Sequence, residues 1–251
     1  MGADQLTAIL LAAGRGKRLG IDGPKCLLEI AGTTLLERHL VNLAAAGVGQ
    51  VVIVTGHAAG QIDEALQDIQ GRGVAPSLAI DTRFNERFVH GSIVSLQCAV
   101  DVLLDRGGLW MDADVLYPAE LLARLVTSER PNGVLLDGRS SEQGEEMMLA
   151  VQGDRVRRIA RQVGTDWDLV GESVGFFKAD PAGAAVMKRI LDAEITAGRL
   201  DQEHEDALAM ALDEVTFGHE RVDDLAWTEI DFPEDVDKAA AIAAELARAS
   251  G

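Results

Sequence analysis

Apolar runs alternate with amphipathic segments along the first half of the chain. In order they read TAILLA, LLERHLVNLAAAG, VVIVTG, QIDEALQDI, SLAI, IVSLQCAVDVLL and GLWMDAD. The run Val51–Val54 is unbroken and rich in β-branched residues, as in a strand buried on both faces. Five residues of the second segment recur at helical spacing: Leu35, Leu36, His39, Leu40 and Leu43. Gly47 then marks the end of that helix. The pattern predicts an α/β fold in which helices cover both faces of a sheet.

The second half of the chain has a different texture after Pro118. Shorter apolar runs, broken by glycines and charged turns, read NGVLLD, MMLAVQ, VRRIARQ and ESVGFFKA. They favour antiparallel strands added to a parallel core. The other predicted elements are helices at 181–196 and 203–212, strands near Val215 and Trp227, and an alanine-rich helix after Pro233. Because no linker, repeat or low-complexity segment interrupts the pattern, we interpret residues 1–251 as one α/β domain with a mixed sheet.

Charge and composition exclude several classes of function. The net charge is −18 and 47% of the residues are apolar, so the chain can form a core but offers no basic surface to nucleic acid. Any polyanion that binds must meet local cations. Cys26 and Cys98 are isolated, which is typical of reduced thiols in a cytoplasm. We see no signal peptide and no apolar run near the roughly 20 residues of a membrane span, so we expect a soluble cytoplasmic protein.

One glycine-rich stretch carries most of the candidate chemistry. Leu11–Gly32 reads LAAGRGKRLGIDGPKCLLEIAG and follows the first apolar run. A P-loop would need a glycine in place of Leu11 and a hydroxyl in place of Arg18. A dinucleotide fingerprint would need its third glycine one residue before Gly20, and a helix that Pro24 would break. Both of these nucleotide-binding motifs are therefore excluded.

The same stretch still suits a triphosphate. It is a loop rich in backbone N–H groups, and it carries four cations: Arg15, Lys17, Arg18 and Lys25. Glycines let amides approach phosphate oxygens, guanidinium groups bind these oxygens in a fork, and an ammonium acts as a point charge. From the residues alone, a solvated basic loop between a strand and a helix is an equally good interpretation.

A family resemblance favours the triphosphate. LAAGRGKRLG followed by PKCLLEIAGTTLLERHL resembles the nucleotidyltransferases that join an NTP to a phosphorylated small molecule and release pyrophosphate. The blocks SIVSLQCA, MDADVLYP, GESVGFFKAD, EHEDAL and WTEIDFPEDVDKA are similar, in the same order, to phosphocholine and phosphonate cytidylyltransferases. The resemblance spans Leu10 to about Ala240 and implies a Rossmann-like, GT-A-type fold with a mixed central sheet. It also implies Mg²⁺, CTP and a small phosphorylated or phosphonate acceptor, and pairing into a homodimer is common among such relatives.

The resemblance implies roles for the loop. An acceptor oxygen attacks the α-phosphorus, and since this oxygen is already anionic, positioning and charge neutralisation carry the catalysis. Lys25 would bridge the reacting phosphoryl groups and Arg18 would hold the β- and γ-phosphates, with Arg15 and Lys17 as helpers. The expected nucleotide contacts are Leu11, Ala12, Ala13, Gly14, Arg15, Gly16, Lys17, Gly91, Ser92, Ser95 and Asp112.

Carboxylates after the run GLW form the expected metal site. Asp112 and Asp114 follow this run on one face of the strand end, where ligands of open α/β sheets gather. By the family motif Asp114 binds magnesium, Asp112 binds it directly or through water, and Asp231 in WTEIDF supplies the second carboxylate. From the residues alone, turn or helix-cap chemistry also explains all three acids.

The acceptor site is expected around acidic and aromatic residues. By motif position the acceptor contacts are Glu172, Glu205 and Asp206, which solvated surface charge explains equally well. Relatives that handle choline hold its quaternary ammonium with aromatic rings. The aromatic candidates in this chain are Trp110, Tyr117, Trp167 and Trp227. An acidic pocket favours an amine-bearing acceptor, such as phosphocholine or 2-aminoethylphosphonate.

Departures from the family pattern keep alternatives open. His90 and Gly91 stand where relatives often carry Asn, so the identity of the nucleotide base stays open. Leu149 stands where many relatives carry Lys, while Arg161 replaces another lysine. A sugar-1-phosphate or inositol-phosphate nucleotidyltransferase is therefore the nearer alternative. The other is a catalytically silent nucleotide-binding or regulatory domain, against which the retained lysine and carboxylates argue together.

Overall fold

Strands and helices alternate in the computed structural model, which describes residues 6–21, 23–140 and 146–249. The strands are β1 (Thr7–Leu11), β2 (Glu29–Ile30), β3 (Thr33–Thr34), β4 (Gln50–Thr55), β5 (Ala79–Phe84), β6 (Gly108–Asp112), β7 (Val115–Leu116), β8 (Gly133–Asp137), β9 (Met148–Gln152), β10 (Arg155–Ala160), β11 (Leu169–Ala179), β12 (Gly218–Arg221) and β13 (Thr228–Glu229). The α-helices are α1 (Leu35–Ala45), α2 (Ala59–Gly71), α3 (Ser92–Gln97), α4 (Ala119–Thr127), α5 (Pro181–Thr196), α6 (His204–Ala211) and α7 (Pro233–Ala249). Short 3-10 turns lie at Lys17–Leu19, Lys25–Leu27 and Val100–Leu103.

The central sheet is mixed. Its strand order is β10-β9-β11-β6-β1-β4-β5, with β8 beside β11 and β12 beside β8. β1 pairs in parallel with β4 and β6, and β4 pairs in parallel with β5, which forms the expected parallel core. β11 pairs antiparallel with β6, β8 and β9, as the texture after Pro118 predicts. Because the carboxyl ends of β1, β4 and β6 meet at one edge, the loops that follow them lie together.

Helices cover both faces of the sheet. Along β1, Ala8 and Leu10 are buried with α1, α2 and α4, whereas Ile9 is buried with α3, α5 and α6. This alternation is the period of two that a strand imposes. Gly47 follows α1 with a φ of +78°, and its N–H donates to the Ala44 carbonyl at 3.0 Å, which confirms the predicted helix end. The mixed α/β fold is thus confirmed. None of the described helices combines the length and apolar composition needed to cross a membrane.

A smaller apolar cluster holds the edge that carries the glycine-rich loop. Ile242 of α7 packs with Leu19 of the loop and Leu116 of β7. β13 pairs antiparallel with β7, and the Ile230 N–H donates to the Asp114 carbonyl at 3.0 Å. These contacts bring the segment before α7 to the carboxyl end of β6, although the two are far apart in the sequence.

One predicted strand lies elsewhere. Val215 belongs to the turn after α6, where its N–H donates to the Ala211 carbonyl at 2.8 Å. The strand of this region is β12, which reads GHER and pairs in parallel with β8. The segment GHER lacks the apolar alternation from which a strand can be predicted. It forms a strand because it pairs with the buried strand β8. The strand expected near Trp227 is β13.

Candidate active site

Gly16 shapes the loop that follows β1. Its φ of +59° lies in the left-handed region that favours glycine, and a Cβ atom there would lie 3.1 Å from Cγ of Lys25. The Gly16 carbonyl accepts a hydrogen bond from the Leu19 N–H at 3.1 Å, and Leu19 is buried near α7. The loop therefore packs closely against Lys25 and is anchored by Leu19.

Lys25 lies between two carboxylates from distant parts of the chain. Its Nζ donates to Oδ2 of Asp114 at 2.9 Å and to Oδ1 of Asp231, and its side chain is only 15% exposed. Burial alone lowers the pKa of the Lys25 ammonium, but Asp114 and Asp231 outweigh burial and raise that pKa above its ordinary value. Lys25 therefore stays charged at neutral pH.

A third carboxylate joins these residues. Glu229 of β13 presents its carboxylate to the same space, and ligand atoms of Asp114, Glu229 and Asp231 lie within 4.8 Å of one another. We call Lys25, Asp114, Glu229 and Asp231 the lysine cluster. Magnesium prefers carboxylate oxygens and completes its coordination with water and substrate phosphates. The three acids of this cluster have the chemistry to hold such an ion.

Two arginines of the loop lie over aromatic rings. The Arg18 guanidinium carbon is 5.4 Å from the centre of the Phe232 ring, and its Nη2 is 3.2 Å from Oδ2 of Asp231. The Arg15 guanidinium carbon is 5.7 Å from the centre of the Phe88 ring. Cation–π contacts of this kind use the face of a guanidinium group and help to orient it.

The predicted site residues meet in one cavity of about 430 Å³ at the carboxyl ends of β1 and β6. Those that line it are Leu11, Ala12, Ala13, Gly14, Arg15, Gly16, Arg18, Lys25, Gly91, Ser92, Ser95, Asp112, Asp114, Glu172, Glu205 and Asp231. Asp206 does not line it, and its carboxylate instead accepts from the Glu203 N–H at 2.9 Å at the start of α6. The side chain of Lys17 lies outside the described part of the structure.

A second group, of two acids and a histidine, lies in the same cavity. Ligand atoms of Asp112, His204 and Glu205, which we call the histidine cluster, lie within 4.8 Å of one another. Gly175 makes room for it, since a Cβ atom there would overlap the Asp112 carboxylate. Among the described residues, no lysine or arginine forms an ion pair with Asp112 or Glu205. Burial raises the pKa of both carboxyl groups, and nearby Glu205 and Asp114 raise that of Asp112 further.

Comparison with known proteins agrees with this geometry. The family model of the MobA-like NTP transferase domain matches residues 8–168. The chain belongs to this family. The bifunctional IPC transferase and DIPP synthase of Thermococcus kodakarensis is 29% identical over 234 residues, which cover 92% of this chain and 49% of that protein. The protein of the same name from Rubrobacter xylanophilus is 31% identical over 159 residues, which cover 62% of this chain and 35% of that protein. The chain thus spans half or less of the length of these relatives.

Solved nucleotidyltransferase structures show the same fold. The inositol-1-phosphate CTP transferase of T. maritima has a TM-score of 0.76 and 21% identity, covering 96% of this chain and 97% of its own. The CTP:phosphocholine cytidylyltransferase LicC of Streptococcus pneumoniae has a TM-score of 0.73 and 20% identity, covering 95% of this chain and 99% of its own. The predicted family and GT-A-type fold are confirmed.

In this NTP transferase domain, the cavity is not lined by the aromatic candidates for an ammonium cage, which are Trp110, Tyr117, Trp167 and Trp227. Trp227 lines an adjoining cavity instead. Trp110 stacks in the core on Phe177, with ring centres 5.1 Å apart. The Trp227 Nε1–H donates to Asp137 at 2.9 Å. Phe88 is the one Phe, Tyr or Trp side chain among the described residues that lines the cavity, so these residues form no aromatic cage there.

Glu172 extends the site of this nucleotidyltransferase toward a second cavity. Its carboxylate accepts a hydrogen bond from the Ser140 hydroxyl, and burial raises its pKa. Glu172, Glu229 and Asp231 line both the first cavity and an adjoining one of about 650 Å³. The open space therefore continues past Glu172.

Sequence reasoning missed Glu229 and His204. Glu229 and Asp231 flank Ile230, which is fully buried, so alternation in the block TEID was the signal that both acids share one side of an extended segment. His204 is 1% exposed at the first position of α6. Its signal was weaker, because one histidine inside the acidic block EHED does not show which way its ring faces.

Proposed function

We propose that this nucleotidyltransferase is a cytidylyltransferase, which transfers CMP from CTP to a small phosphorylated or phosphonate acceptor and releases pyrophosphate. The supporting observation is Lys25, held between Asp114 and Asp231 against the glycine-rich loop. A fixed ammonium at this edge of the sheet suits a polyphosphate that the loop amides also contact. A binding module without catalysis would not need a largely enclosed lysine that two carboxylates hold in place.

In the proposed reaction an acceptor oxygen attacks the α-phosphorus of the nucleotide. A bond forms between these two atoms, and the bond from the α-phosphorus to the oxygen shared with the β-phosphorus breaks, so that the electron pair leaves on pyrophosphate. Because the acceptor oxygen is already anionic, the protein removes no proton. Lys25 donates to oxygens of the reacting phosphoryl groups, while Arg18 and Arg15 bind the β- and γ-phosphates.

Asp114, Glu229 and Asp231 are the residues that would hold magnesium. Asp112, for which the resemblance implies a direct or water-mediated contact with the ion, belongs instead to the histidine cluster. Nucleotidyltransferases of this type generally use divalent metals. When bound, the ion would neutralise charge on the triphosphate. Lys25 keeps two of the three carboxylates in place through its hydrogen bonds.

The histidine cluster supports an acceptor that carries an ammonium group. Asp112 and Glu205 have no lysine or arginine partner among the described residues, and a ligand cation would supply one. A quaternary ammonium prefers aromatic faces, whereas a primary ammonium donates N–H hydrogen bonds to carboxylates. This end of the cavity therefore favours 2-aminoethylphosphonate over phosphocholine.

An inositol phosphate is the second candidate acceptor. The T. maritima neighbour is an inositol-1-phosphate CTP transferase, and the T. kodakarensis relative is named as an IPC transferase. Carboxylates such as Asp112 and Glu205 also accept hydrogen bonds from polyol hydroxyls. The T. maritima and S. pneumoniae neighbours are both named for CTP, which supports CTP as the nucleotide in either case.

A screen of pyrophosphate release tests the proposed function. Each of ATP, GTP, CTP, UTP and dTTP is combined with 2-aminoethylphosphonate, phosphocholine, inositol 1-phosphate and glucose 1-phosphate, and Lys25→Ala controls for contaminating activity. We expect release with CTP, fastest with 2-aminoethylphosphonate. Release only with UTP or dTTP and glucose 1-phosphate would contradict the proposal in favour of a sugar nucleotidyltransferase. No release with any pair would favour a silent nucleotide-binding domain.

A further inference from the structure

The start of α3 is seated directly on the segment that leads into α6. The Gly91 N–H donates to the Leu200 carbonyl at 3.0 Å, and the Ile93 N–H donates to the Gln202 carbonyl at 3.2 Å. A Cβ atom at Gly91 would overlap the Gln202 carbonyl. Glycine is therefore required at this position for close backbone approach, and the two segments form a junction of backbone against backbone.

Ser92 uses its side chain within this junction. Its hydroxyl donates to Oε2 of Glu203 at 2.6 Å and accepts from the His204 backbone N–H at 2.8 Å. The His204 N–H is the first of α6 and has no partner inside the helix, so Ser92 caps α6 from another part of the chain. The Ser92 N–H also lies 3.3 Å from the same Glu203 oxygen.

The Ser92 hydroxyl also contacts the imidazole of His204, which belongs to the histidine cluster. Nδ1 of His204 lies 3.1 Å from Oγ of Ser92 and 3.1 Å from Oε2 of Glu205. The ring is held edge-on against Phe177, with ring centres 5.4 Å apart. A hydroxyl has one proton, and when that proton goes to Glu203 the Nδ1–H of His204 is the donor. Ser92 thus sets the position of the ring that adjoins Glu205.

We infer that Ser92 is a positioning residue for the acceptor end of the cavity and not a nucleotide contact. Its hydroxyl is already committed to Glu203 and His204, so it holds the first turn of α6 in the place where Glu205 faces Asp112. This inference rests on the proposed role of Glu205 as an acceptor contact. It reassigns a residue whose position in the SIVSLQCA block implies contact with the nucleotide.

Ser92→Ala tests the inference. Ser95→Ala is the matched control for the acceptor KM and for hydrogen exchange, and not for the KM of CTP, because Ser95 stays an expected nucleotide contact. Ser95 lies one turn further along α3, also lines the cavity, and accepts a hydrogen bond from the Asn85 side chain at 3.1 Å. For Ser92→Ala we expect the KM for the acceptor to rise about tenfold, the effect of one lost hydrogen bond, with the KM for CTP within twofold of wild type. Ser92→Thr keeps a hydroxyl and should restore the acceptor KM.

Amide hydrogen exchange provides a readout that needs no turnover. Ser92→Ala should speed exchange of the backbone amides at the start of α6, around residues 204–208, whereas Ser95→Ala should leave them unchanged. If no acceptor in the screen gives activity, the proposed function fails, but the exchange experiment still decides the structural role of Ser92. Unchanged exchange in Ser92→Ala, or a raised KM for CTP with a normal KM for the acceptor, would overturn the inference.

Discussion

The two clusters in the cavity differ in how their negative charge is balanced. In the lysine cluster, Asp114 and Asp231 both bond to the Lys25 ammonium, and Arg18 lies 3.2 Å from Asp231. In the histidine cluster, Asp112 and Glu205 lie beside a buried imidazole and form no ion pair with a lysine or arginine of the described residues. One cluster carries its own cation, whereas the other has charge that a ligand can balance.

This difference suggests a division of labour between neighbouring residues. Asp112 and Asp114 are two positions apart, yet β6 ends at Asp112 and the two carboxylates join different clusters. A lysine that two carboxylates fix before binding is preorganised for any nucleotide reaction. A cluster without such a cation gains most from a cationic ligand, so it favours selection among acceptors. We therefore expect substitutions in the lysine cluster to lower kcat and those in the histidine cluster to raise the acceptor KM.

Lys25→Ala should have the largest effect. It removes the donor that bridges the reacting phosphoryl groups, and loss of one preorganised donor lowers kcat by roughly 10²–10³. Initial rates of pyrophosphate release measure this loss, with circular dichroism to verify folding. Lys188→Ala is the control, because Lys188 forms a pair with Asp192 on α5 and does not line the cavity. Turnover within twofold of wild type in Lys25→Ala would refute the proposed mechanism.

Asp114→Asn and Asp112→Asn test whether the two clusters act separately. Asp114→Asn removes a carboxylate that would hold magnesium. It should weaken the apparent metal affinity by at least the roughly 10–100-fold that loss of an outer-shell partner costs, as measured by rates over a magnesium titration. Asp112→Asn should instead raise the acceptor KM. Equal shifts of the metal requirement in both variants, or full wild-type activity in EDTA, would show that this division is wrong.

The lysine cluster was easier to predict from the sequence than the histidine cluster. Lys25, Asp114 and Asp231 each lie in a block that the family resemblance identifies separately, and the antiparallel pair β7–β13 brings Asp231 to the carboxyl end of β6. The histidine cluster depends on the orientation of α6, which Ser92 and the packing of His204 determine. These are tertiary contacts between segments distant in sequence, so the hydrophobic periodicity of the sequence does not predict them.

Prediction of the fold from the sequence has the same limit. β1 and β4 are unbroken apolar runs and α1 has a helical period, so their types and order were predictable. Two-residue strands such as β7 and β13 have too few positions for any period, and they form because each supplies the hydrogen-bond partner of the other. This pairing is what places Glu229 beside Asp114, so the missed acid and the short strand have one physical cause.

Glu205→Gln should sharpen the contrast by changing acceptor affinity alone. It removes the charge that an acceptor ammonium would meet, and a hydrogen bond to a charged group is worth roughly 10–100-fold in affinity. We expect the KM for 2-aminoethylphosphonate to rise by this factor and the KM for CTP to stay unchanged. Glu214→Gln is the control, since Glu214 pairs with Arg189 outside the cavity. A fall in kcat at constant KM would assign Glu205 to the reaction step instead.

The smallest expected effects are on stability without ligands, and they should have opposite signs in the two clusters. Burial raises the pKa of the Glu205 carboxyl group in the folded protein, so the folded state holds this proton more tightly than the unfolded state. The stability gained in this way is fully present below the unfolded pKa of about 4.3 and is lost as pH rises through the folded pKa. Glu205→Gln does not titrate and should therefore stabilise the protein at pH 8 by on the order of 1 kcal/mol, and by less at pH 5. Asp231→Asn should destabilise it at pH 8, because Lys25 loses a carboxylate partner. Urea denaturation at both pH values measures the free energy of unfolding, and destabilisation by both substitutions at pH 8 would show that the two clusters are balanced alike.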